Sequence, residues 1–267
     1  MTDLEALFVP ALRDLLGEDD RPIVVYSAVW PIARATGLGG QEVCQGLLAA
    51  LRRAAGARTL LMPAFTKGFV DGICDLDREP SRTGALTEYF RRQEGTRRTV
   101  SAFFSFSVAG PEAGTAVALR PKEAWGEGSL YAWFYARDAH IVTIGLHPTH
   151  CSYTHYAEWL ARDVITYRYA KSFRGEVVHE GRRFAHEETL FVRDLDRDVN
   201  NDFTGLLPLY REHGLRQAAP AGVGISAMSA RRKIDAIVPL LIKNPELLLR
   251  KGSGDEQPCG QDRAVGA

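Results

Sequence analysis

Apolar residues recur at helical spacing over residues 3–17, and the acidic turn EDDRP follows them. The pattern then changes to a mostly apolar run, PIVVYS at 22–27, which is typical of a buried strand. A second amphipathic helix is predicted over 41–56, and a second buried strand, TLLMPAF, over 59–65. Because strand, helix and strand in this order build a parallel sheet, the pattern predicts an α/β fold.

Less regular patterns follow in the middle of the chain. Residues 66–84 have too few periodic apolar positions for a regular element, and a loop of that length inside a compact domain is usually functional. We expect a helix over 85–95, strands over 99–110 and 138–147, and a helix over 153–164.

The second half of the chain has a β-like section at 167–195, in which Gly175 and Gly181 punctuate the pattern as hairpin turns do. Helices are predicted around 198–213 and 227–242. The pattern therefore predicts a smaller β-rich insertion in the second half of the chain, followed by two helices that close the fold.

No internal repeat interrupts the chain, so we predict a single α/β domain over 1–250. Its central sheet is expected to be mixed but mostly parallel, with helices on both faces. The tail, residues 251–267, lacks a core-forming pattern and is expected to be disordered.

Composition narrows the possible partners. Lys plus Arg and Asp plus Glu both number 33, so no basic excess suits a phosphate backbone, and nucleic acid is not an expected partner. The apolar runs are too short to span a bilayer, and the acidic N-terminus is unlike a signal peptide, so we expect a cytoplasmic protein without membrane association. The cysteines are scattered without CxxC spacing, which argues against a disulfide framework and a structural zinc site.

The densest chemistry lies in the stretch HPTHCSYTHYAEW, which begins at His147. Its histidines and Cys151 are possible metal ligands, but Pro148 argues against one helix that carries them all, and the spacing matches no zinc signature such as HExxH. A zinc hydrolase built on His147, His150 and His155 stays an alternative. Cys151 as a nucleophile with His155 as its base is another, because residues four apart on a helix are neighbours.

A second motif, AGVGISA at 221–227, fits the G-x-G-x-x-A form of the dinucleotide-binding fingerprint. No buried strand precedes it and the expected acidic residue is missing, so we predict a turn that leads into a helix. No GxxxxGK[ST] loop is present either, which argues against nucleotide-dependent phosphoryl transfer.

Six segments, taken in order, carry a resemblance. They are VVYSAVWPIARATG at 24–37, RTLLMPAFT at 58–66, EPSRTGALTEYFRRQEGTRRT at 79–99, FFSFSVAGPEA at 103–113, GSLYAWF at 128–134 and SYTHYAEW at 152–159. Together they resemble the aminoglycoside 3-N-acetyltransferase family of antibiotic N-acetyltransferases. The resemblance implies transfer of an acetyl group from acetyl-CoA to a primary amine of an amino sugar or aminoglycoside-like substrate. It also implies direct attack in a ternary complex, with no metal.

The same resemblance implies roles for individual residues. The family pattern of Thr, two residues, His, two residues and Glu is matched by Ser152, His155 and Glu158, with a hydroxyl kept at the first position. His155 is then the general base that takes a proton from the substrate ammonium, a role that suits a group titrating near neutrality. Glu158 is expected to lie beside His155 as part of the catalytic site. Glu88, in the family pattern G-x-L-x-E-x-F-R, is expected to orient the imidazole or hold the amine.

The resemblance also implies where the coenzyme binds. Backbone N–H groups of the turn at Ser27, Ala28 and Val29 are expected to face the developing oxyanion, and the neighbourhoods of Thr66 and Ser105 are expected to hold coenzyme A. The partner is a small-molecule amine, and the protein is expected to be a monomer or a homodimer.

Two departures from the family keep an alternative open. Ser101 and Ala102 stand where the drug-modifying enzymes carry a His-Pro pair. The second half, at 167–175 and 192–203, is closer to members associated with amino-sugar modification in polysaccharide biosynthesis than to those of antibiotic resistance. The alternative is a non-catalytic or repurposed member of the fold that binds a carbohydrate or a CoA-type ligand.

Overall fold

Helices and strands alternate along most of the chain, as the apolar pattern predicts. The computed structural model describes residues 3–197 and 199–250. The helices of this part are α1 (Asp3–Leu16), α2 (Trp30–Thr36), α3 (Gly40–Ala55), α4 (Ala85–Arg91), α5 (Ala113–Ala118), α6 (Leu130–Ala136), α7 (Thr154–Leu160), α8 (Leu207–Glu212) and α9 (Ala230–Lys243). Its strands are β1 (Ile23–Ser27), β2 (Leu60–Pro63), β3 (Ile73–Asp75), β4 (Arg97–Arg98), β5 (Phe106–Ala109), β6 (His140–Ile144), β7 (Arg168–His179), β8 (Arg182–Arg193), β9 (Arg216–Ala218) and β10 (Ile225–Ser229).

The central sheet has the strand order β4-β5-β2-β1-β6-β10-β9. β1 pairs in parallel with β2 and β6, whereas β5 and β10 run antiparallel to their neighbours. The predicted mixed α/β fold is thus confirmed, and its parallel part lies at the centre. Ser27, Pro63 and Ile144 end the three parallel strands at one edge, which is where α/β sheets usually bind ligands.

Helices cover both faces of this sheet because successive side chains of a strand point to opposite faces. Val25 belongs to the core that β1 shares with α1, α3 and α4. Its neighbours Val24 and Tyr26 belong to the opposite core, which α6, α7 and α9 cover. Alternate residues of β1 therefore pack into the two cores on opposite faces of the sheet.

A second sheet has the order β3-β7-β8, and its strands β7 and β8 are the predicted β-rich insertion. Its third strand, β3, lies within 66–84, where no regular element is predicted, and it forms by pairing with β7. A turn at Glu180 and Gly181 joins its long antiparallel hairpin. The prediction of another turn at Gly175 is wrong, because this residue lies inside β7. A side chain there would meet the carbonyl oxygen of Gly72 at 2.7 Å, so glycine lets the loop after β2 pack against the sheet.

Three other predicted elements differ from the elements in the structure. The strand predicted over 99–110 is confined to β5, since residues 102–104 form a turn. The helix predicted around 198–213 is confined to α8 and a 3-10 turn at 204–206. The segment 221–227 leads into β10 and not directly into a helix, because β10 pairs with β6.

Helices α5 and α6 have no counterpart among the predicted elements. The sequence of α6, LYAWFYA, is apolar around its whole circumference and so shows no helical period. Within the described residues, no helix is long and apolar enough to cross a membrane. The predicted tail, 251–267, lies outside the described residues.

Candidate active site

The stretch that begins at His147 forms tight turns that lead into α7. The His150 N–H donates to the His147 carbonyl at 2.9 Å, and the His155 N–H donates to the Ser152 carbonyl at 3.1 Å. These turns keep His147 and His150 outside the helix and place His155 in its first turn. Glu158 follows on the same face, because residues three apart on a helix are neighbours.

His155 and Glu158 form the central pair of the site. The Nδ1 atom of His155 lies 2.5 Å from Oε2 of Glu158. The other carboxylate oxygen, Oε1, accepts hydrogen bonds from the Tyr167 hydroxyl at 2.7 Å and from the Asn201 side-chain amide at 3.1 Å. Arg168 Nε lies 3.0 Å from the same oxygen as an ion pair. Both oxygens of this fully buried carboxylate therefore have partners.

These partners set the charge of Glu158. Burial alone would raise its pKa, but the charges of Arg168 and His155 and the hydrogen bonds from His155 and Tyr167 outweigh burial and hold the pKa at about 2. The carboxylate is therefore ionised at neutral pH. Since an ionised carboxylate only accepts hydrogen bonds, the neutral imidazole of His155 carries its hydrogen on Nδ1 and its lone pair on Nε2.

Arg168 connects this pair to the insertion. Its Nη2 atom lies 3.3 Å from Nδ1 of His155, but the shorter contact to Glu158 uses the Nδ1 hydrogen. Arg168 instead donates to the Asn201 side-chain oxygen at 2.8 Å and to the Phe191 carbonyl at 3.1 Å. The guanidinium thus neutralises the carboxylate and joins α7 to β7, to β8 and to the loop that follows.

Two aromatic rings flank the imidazole of His155. Trp125 and Phe203 contact it edge-on, with ring centroids 6.1 and 5.4 Å from the imidazole centroid. The His155 side chain is 17% exposed, and no described residue hydrogen-bonds to Nε2. This nitrogen is the one open to a substrate, so the arrangement can remove a proton from a group bound beside it.

Ser152 anchors the start of α7 to the central sheet. Its hydroxyl lies 2.9 Å from the Tyr131 hydroxyl and 3.1 Å from the Tyr26 hydroxyl. Burial raises the pKa of both tyrosines, so both phenols stay protonated. Because Tyr26 directly precedes Ser27, the start of α7 is tied to the edge where β1 ends.

Glu88 lies in α4 and has different partners from those expected. It accepts hydrogen bonds from the Ser81 N–H at 2.7 Å, from Arg91 at 2.7 Å and from Arg92 at 2.6 Å. Burial would raise its pKa, but these donors hold the pKa at about 2. Glu158, and not Glu88, therefore orients the imidazole. A role for Glu88 in holding the amine stays a prediction.

The turn after β1 is anchored to β6. The Ala28 N–H donates to the Ile144 carbonyl at 2.9 Å, so this group is not free to bind an oxyanion as expected. Val29 precedes the first turn of α2. The Ser27 hydroxyl is buried and has no hydrogen-bond partner among the described residues. An unsatisfied hydroxyl at this edge fits a ligand that supplies the missing hydrogen bond.

Thr66 and Ser105 lie in the loops beside this edge, and their hydroxyls bond internally. The Thr66 hydroxyl donates to the Ala102 carbonyl and accepts from the Gly68 N–H at 2.9 Å. The Ser105 hydroxyl donates to the Ala64 carbonyl at 2.7 Å. Since both side chains are buried, they hold the loops in place and do not present hydroxyls to solvent.

His147 and His150 do not join His155 in a metal site. Their rings lie 5.5 Å apart, and Nδ1 of His147 is 2.7 Å from the Thr149 hydroxyl. Within residues 3–197 and 199–250, no three His, Cys, Asp or Glu side chains lie close enough to hold a metal ion. The geometry therefore gives no support to a zinc hydrolase built on the three histidines.

Cys151 is buried and has no hydrogen bond to His155 among the described contacts. Its thiol lies 3.9 Å from the Thr154 hydroxyl and also contacts the side chain of Lys233. Lys233 is fully enclosed, with its nitrogen 3.6 Å from the ring centroid of Tyr210, and burial lowers its pKa. Cys151 thus belongs to the packing under α7, and the alternative of a Cys-His nucleophile pair gains no support.

Arg168 and Asn201 are site residues that the sequence does not reveal as such. They come from YRYAKSFRG and VRDLDRDVNNDF, which the family resemblance does not cover. The sequence contains one signal that such partners of Glu158 must exist. Glu158 stands among apolar residues in YTHYAEWL, and a buried carboxylate requires a charged or hydrogen-bonding partner from elsewhere in the fold.

Comparison with known proteins identifies the family and the shared fold. The chain matches the sequence profile of aminoglycoside 3-N-acetyltransferases over residues 9–241, and no curated protein sequence matches it. The solved structure of sisomicin-bound AAC-VIa has a TM-score of 0.73 at 22% identity, over 90% of this chain and 97% of that one. AAC-IIIb in binary complex with CoASH has a TM-score of 0.73 at 22% identity, over 90% of this chain and 95% of that one. The YokD protein from Bacillus subtilis has a TM-score of 0.74 at 16% identity, over 91% of this chain and 94% of that one.

The mixed α/β fold and the match to this sequence profile define the class of protein as an N-acetyltransferase. The chain belongs to the aminoglycoside 3-N-acetyltransferase family. The predicted family, the fold class and the enzyme class, an N-acetyltransferase with acetyl-CoA as donor, are confirmed at the level of the family. The likeness to the solved structures shows the shared fold.

Proposed function

We propose that the protein transfers an acetyl group from acetyl-CoA to a primary amine of an amino sugar or aminoglycoside in the cytoplasm. Nε2 of His155 takes a proton from the substrate ammonium, and the neutral nitrogen attacks the thioester carbonyl. The C–N bond forms and the C–S bond breaks. Of the two protons that the nitrogen loses, one leaves on the coenzyme thiol and one passes to solvent.

One observation carries this proposal, the 2.5 Å contact between a buried, ionised Glu158 and an imidazole whose Nε2 is open. Glu158 holds the Nδ1–H tautomer and stabilises the imidazolium that forms when Nε2 takes a proton. A protein that only binds a carbohydrate does not need an ionised carboxylate behind an accessible imidazole. The repurposed alternative is therefore less favoured.

The coenzyme is proposed to lie along the edge where β1 and β2 end. Ser27 offers an unsatisfied hydroxyl there, and Thr66 and Ser105 support the neighbouring loops. Lys67 and Arg82 are exposed cations of the loop between β2 and α4, and their charges suit the phosphates of coenzyme A. AAC-IIIb, a structural neighbour, is bound to CoASH.

His155→Ala is expected to lose transfer and to keep acetyl-CoA binding. Removal of a general base should lower kcat by about 10²- to 10⁴-fold, measured as release of the coenzyme thiol at saturating acceptor. Calorimetry measures acetyl-CoA binding by the same variant. His147→Ala is the matched control, because its imidazole contacts Thr149 and His150 and has no contact with His155.

Full activity of His155→Ala would contradict the mechanism. A wild-type protein that binds no acetyl-CoA would favour the repurposed carbohydrate-binding protein.

The acceptor is the second part of the proposal. AAC-VIa is bound to sisomicin, and a variant of AAC(3)-IVa is in complex with a gentamicin, which supports an aminoglycoside. Thiol release should be measured with sisomicin, gentamicin and nucleotide-linked amino sugars. Release with aminoglycosides would support a role in antibiotic resistance. Release with the nucleotide-linked sugars alone would support polysaccharide biosynthesis.

A further inference from the structure

A second buried carboxylate, Glu188 of β8, contacts the segment that departs from the family pattern. Glu188 has no exposed surface. Its Oε1 accepts a hydrogen bond from the Ser101 hydroxyl at 2.6 Å, and its Oε2 accepts one from the Ala102 N–H at 2.7 Å. A buried carboxylate costs free energy unless such partners replace water. These bonds therefore fix Ser101 and Ala102 relative to β8.

The same bonds define a turn over 101–104. The Ser101 hydroxyl accepts a hydrogen bond from the Phe104 N–H at 2.8 Å, so it serves as donor and acceptor at once. His186 is two residues before Glu188 and points to the same face of β8. Its Nε2 lies 3.7 Å from Oε2 of Glu188. The turn is thus attached to the insertion by a buried polar cluster.

The turn also holds the loop that follows β2. The Ala102 carbonyl accepts a hydrogen bond from the Thr66 hydroxyl, and the Phe103 carbonyl accepts one from the Thr66 N–H at 3.3 Å. The ring of Phe103 lies so close to Gly68 that a side chain there would overlap it. A shift of the 101–104 turn therefore shifts Thr66 and Gly68 with it.

We propose that Glu188 is a positioning residue for coenzyme binding, which holds the 101–104 turn and, through it, the Thr66 loop in the conformation that accepts acetyl-CoA. This inference rests on the proposed function. The role of Glu188 gives a physical reason for Ser101 and Ala102 in place of the His-Pro pair of the drug-modifying enzymes. A proline at position 102 would have no N–H, whereas Ser101 and Ala102 supply the two donors that the buried carboxylate needs. Ser101, Ala102 and Glu188 act as one unit.

Two variants test this role. Glu188→Gln keeps the size of the side chain but replaces one acceptor oxygen with an NH₂ group, and Ser101→Ala removes one donor. Because each loses a charge-assisted hydrogen bond, we expect the KM for acetyl-CoA to rise about 10-fold. The kcat and the KM for the acceptor should stay close to wild type. Ser101→Thr, which keeps the hydroxyl, should have a KM for acetyl-CoA close to that of the wild type, in contrast to Ser101→Ala.

Glu187→Gln is the matched control. Glu187 is the neighbour on the opposite face of β8, is 47% exposed and pairs with Arg174, so the KM for acetyl-CoA should not change.

Acetyl-CoA binding by the wild-type protein separates the two proposals. If the wild type binds and uses acetyl-CoA, and folded Glu188→Gln keeps the wild-type KM, the positioning role is wrong and the proposed function stands. A fall in kcat alone would indicate a general structural effect and would also overturn the role. If the wild type binds no acetyl-CoA, the proposed function fails and this inference fails with it.

Discussion

Glu158 links the electrostatics of the fold to the chemistry of His155. Its carboxylate is fully buried, and an unpaired charge in that position would cost several kcal/mol. Tyr167, Asn201 and Arg168 compensate that cost on one oxygen and leave the other for Nδ1 of His155. The contacts that keep Glu158 ionised therefore also select the tautomer in which Nε2 can accept a proton.

We predict that Glu158 makes the stability of the fold depend on pH in the acid range. Its pKa is about 2 in the folded protein against an ordinary value of 4.5, so the unfolded chain takes up the proton first as the pH falls. The stabilisation is complete above about pH 5 and declines towards about pH 2. Urea titrations should show Glu158→Gln to be less stable by on the order of 3 kcal/mol near pH 6, with a difference that shrinks as the pH falls.

Glu187→Gln serves again as the control, because an exposed ion pair contributes little at any pH. A difference between wild type and Glu158→Gln that stayed constant from about pH 6 to about pH 3 would contradict the prediction. It would mean that the glutamine loses packing or shape and not an ionised partner.

The helices and strands that the sequence predicts correctly are those whose periodicity is local. β1, β2, β6, α1 and α3 follow the apolar pattern closely. β10 differs from its predicted form because it exists through pairing with β6, which is distant in sequence. The same distinction applies to the site. His155 and Glu158 are three residues apart and can be found from a motif, whereas Arg168 and Asn201 reach Glu158 only through the fold of the insertion.

Gly175 of β7 is predicted to control how the loop after β2 packs on the insertion. A side chain at this position would meet the Gly72 carbonyl oxygen at 2.7 Å and the ring of Phe69. Because the obstacle includes backbone, Gly175→Ala should lower the free energy of unfolding by about 1–3 kcal/mol. Thermal or urea denaturation followed by circular dichroism measures the change.

Gly114→Ala in α5 is the matched control, since no atom lies within 4 Å of the new Cβ. It should leave stability unchanged or raise it slightly, because alanine favours a helix. If both variants unfold as the wild type does, the loop has room to retreat from β7, and the close approach at Gly175 does not constrain the fold.

The candidate active site joins the two sheets of the molecule. His155 lies in α7 over the central sheet, Arg168 begins β7, and Asn201 follows β8. The apolar side chains make the same connection, because Phe191 of the insertion belongs to one core cluster with Ile237 of α9. A shared core predicts that the insertion does not unfold independently of the central sheet.

Phe191→Ala tests this cooperativity. Phe191 is 6% exposed, and its ring centroid lies 5.8 Å from that of Trp159, so truncation should cost about 3 kcal/mol. In urea, far-ultraviolet circular dichroism, tryptophan fluorescence and thiol-release activity should lose their native values at one common midpoint, which moves to lower urea in the variant.

Tyr169→Ala is the control, because Tyr169 is 48% exposed on the neighbouring strand and its removal should leave the midpoint in place. Activity lost at a lower urea concentration than the dichroism signal would show that the insertion, with Arg168 and the support of Glu158, opens before the central sheet does.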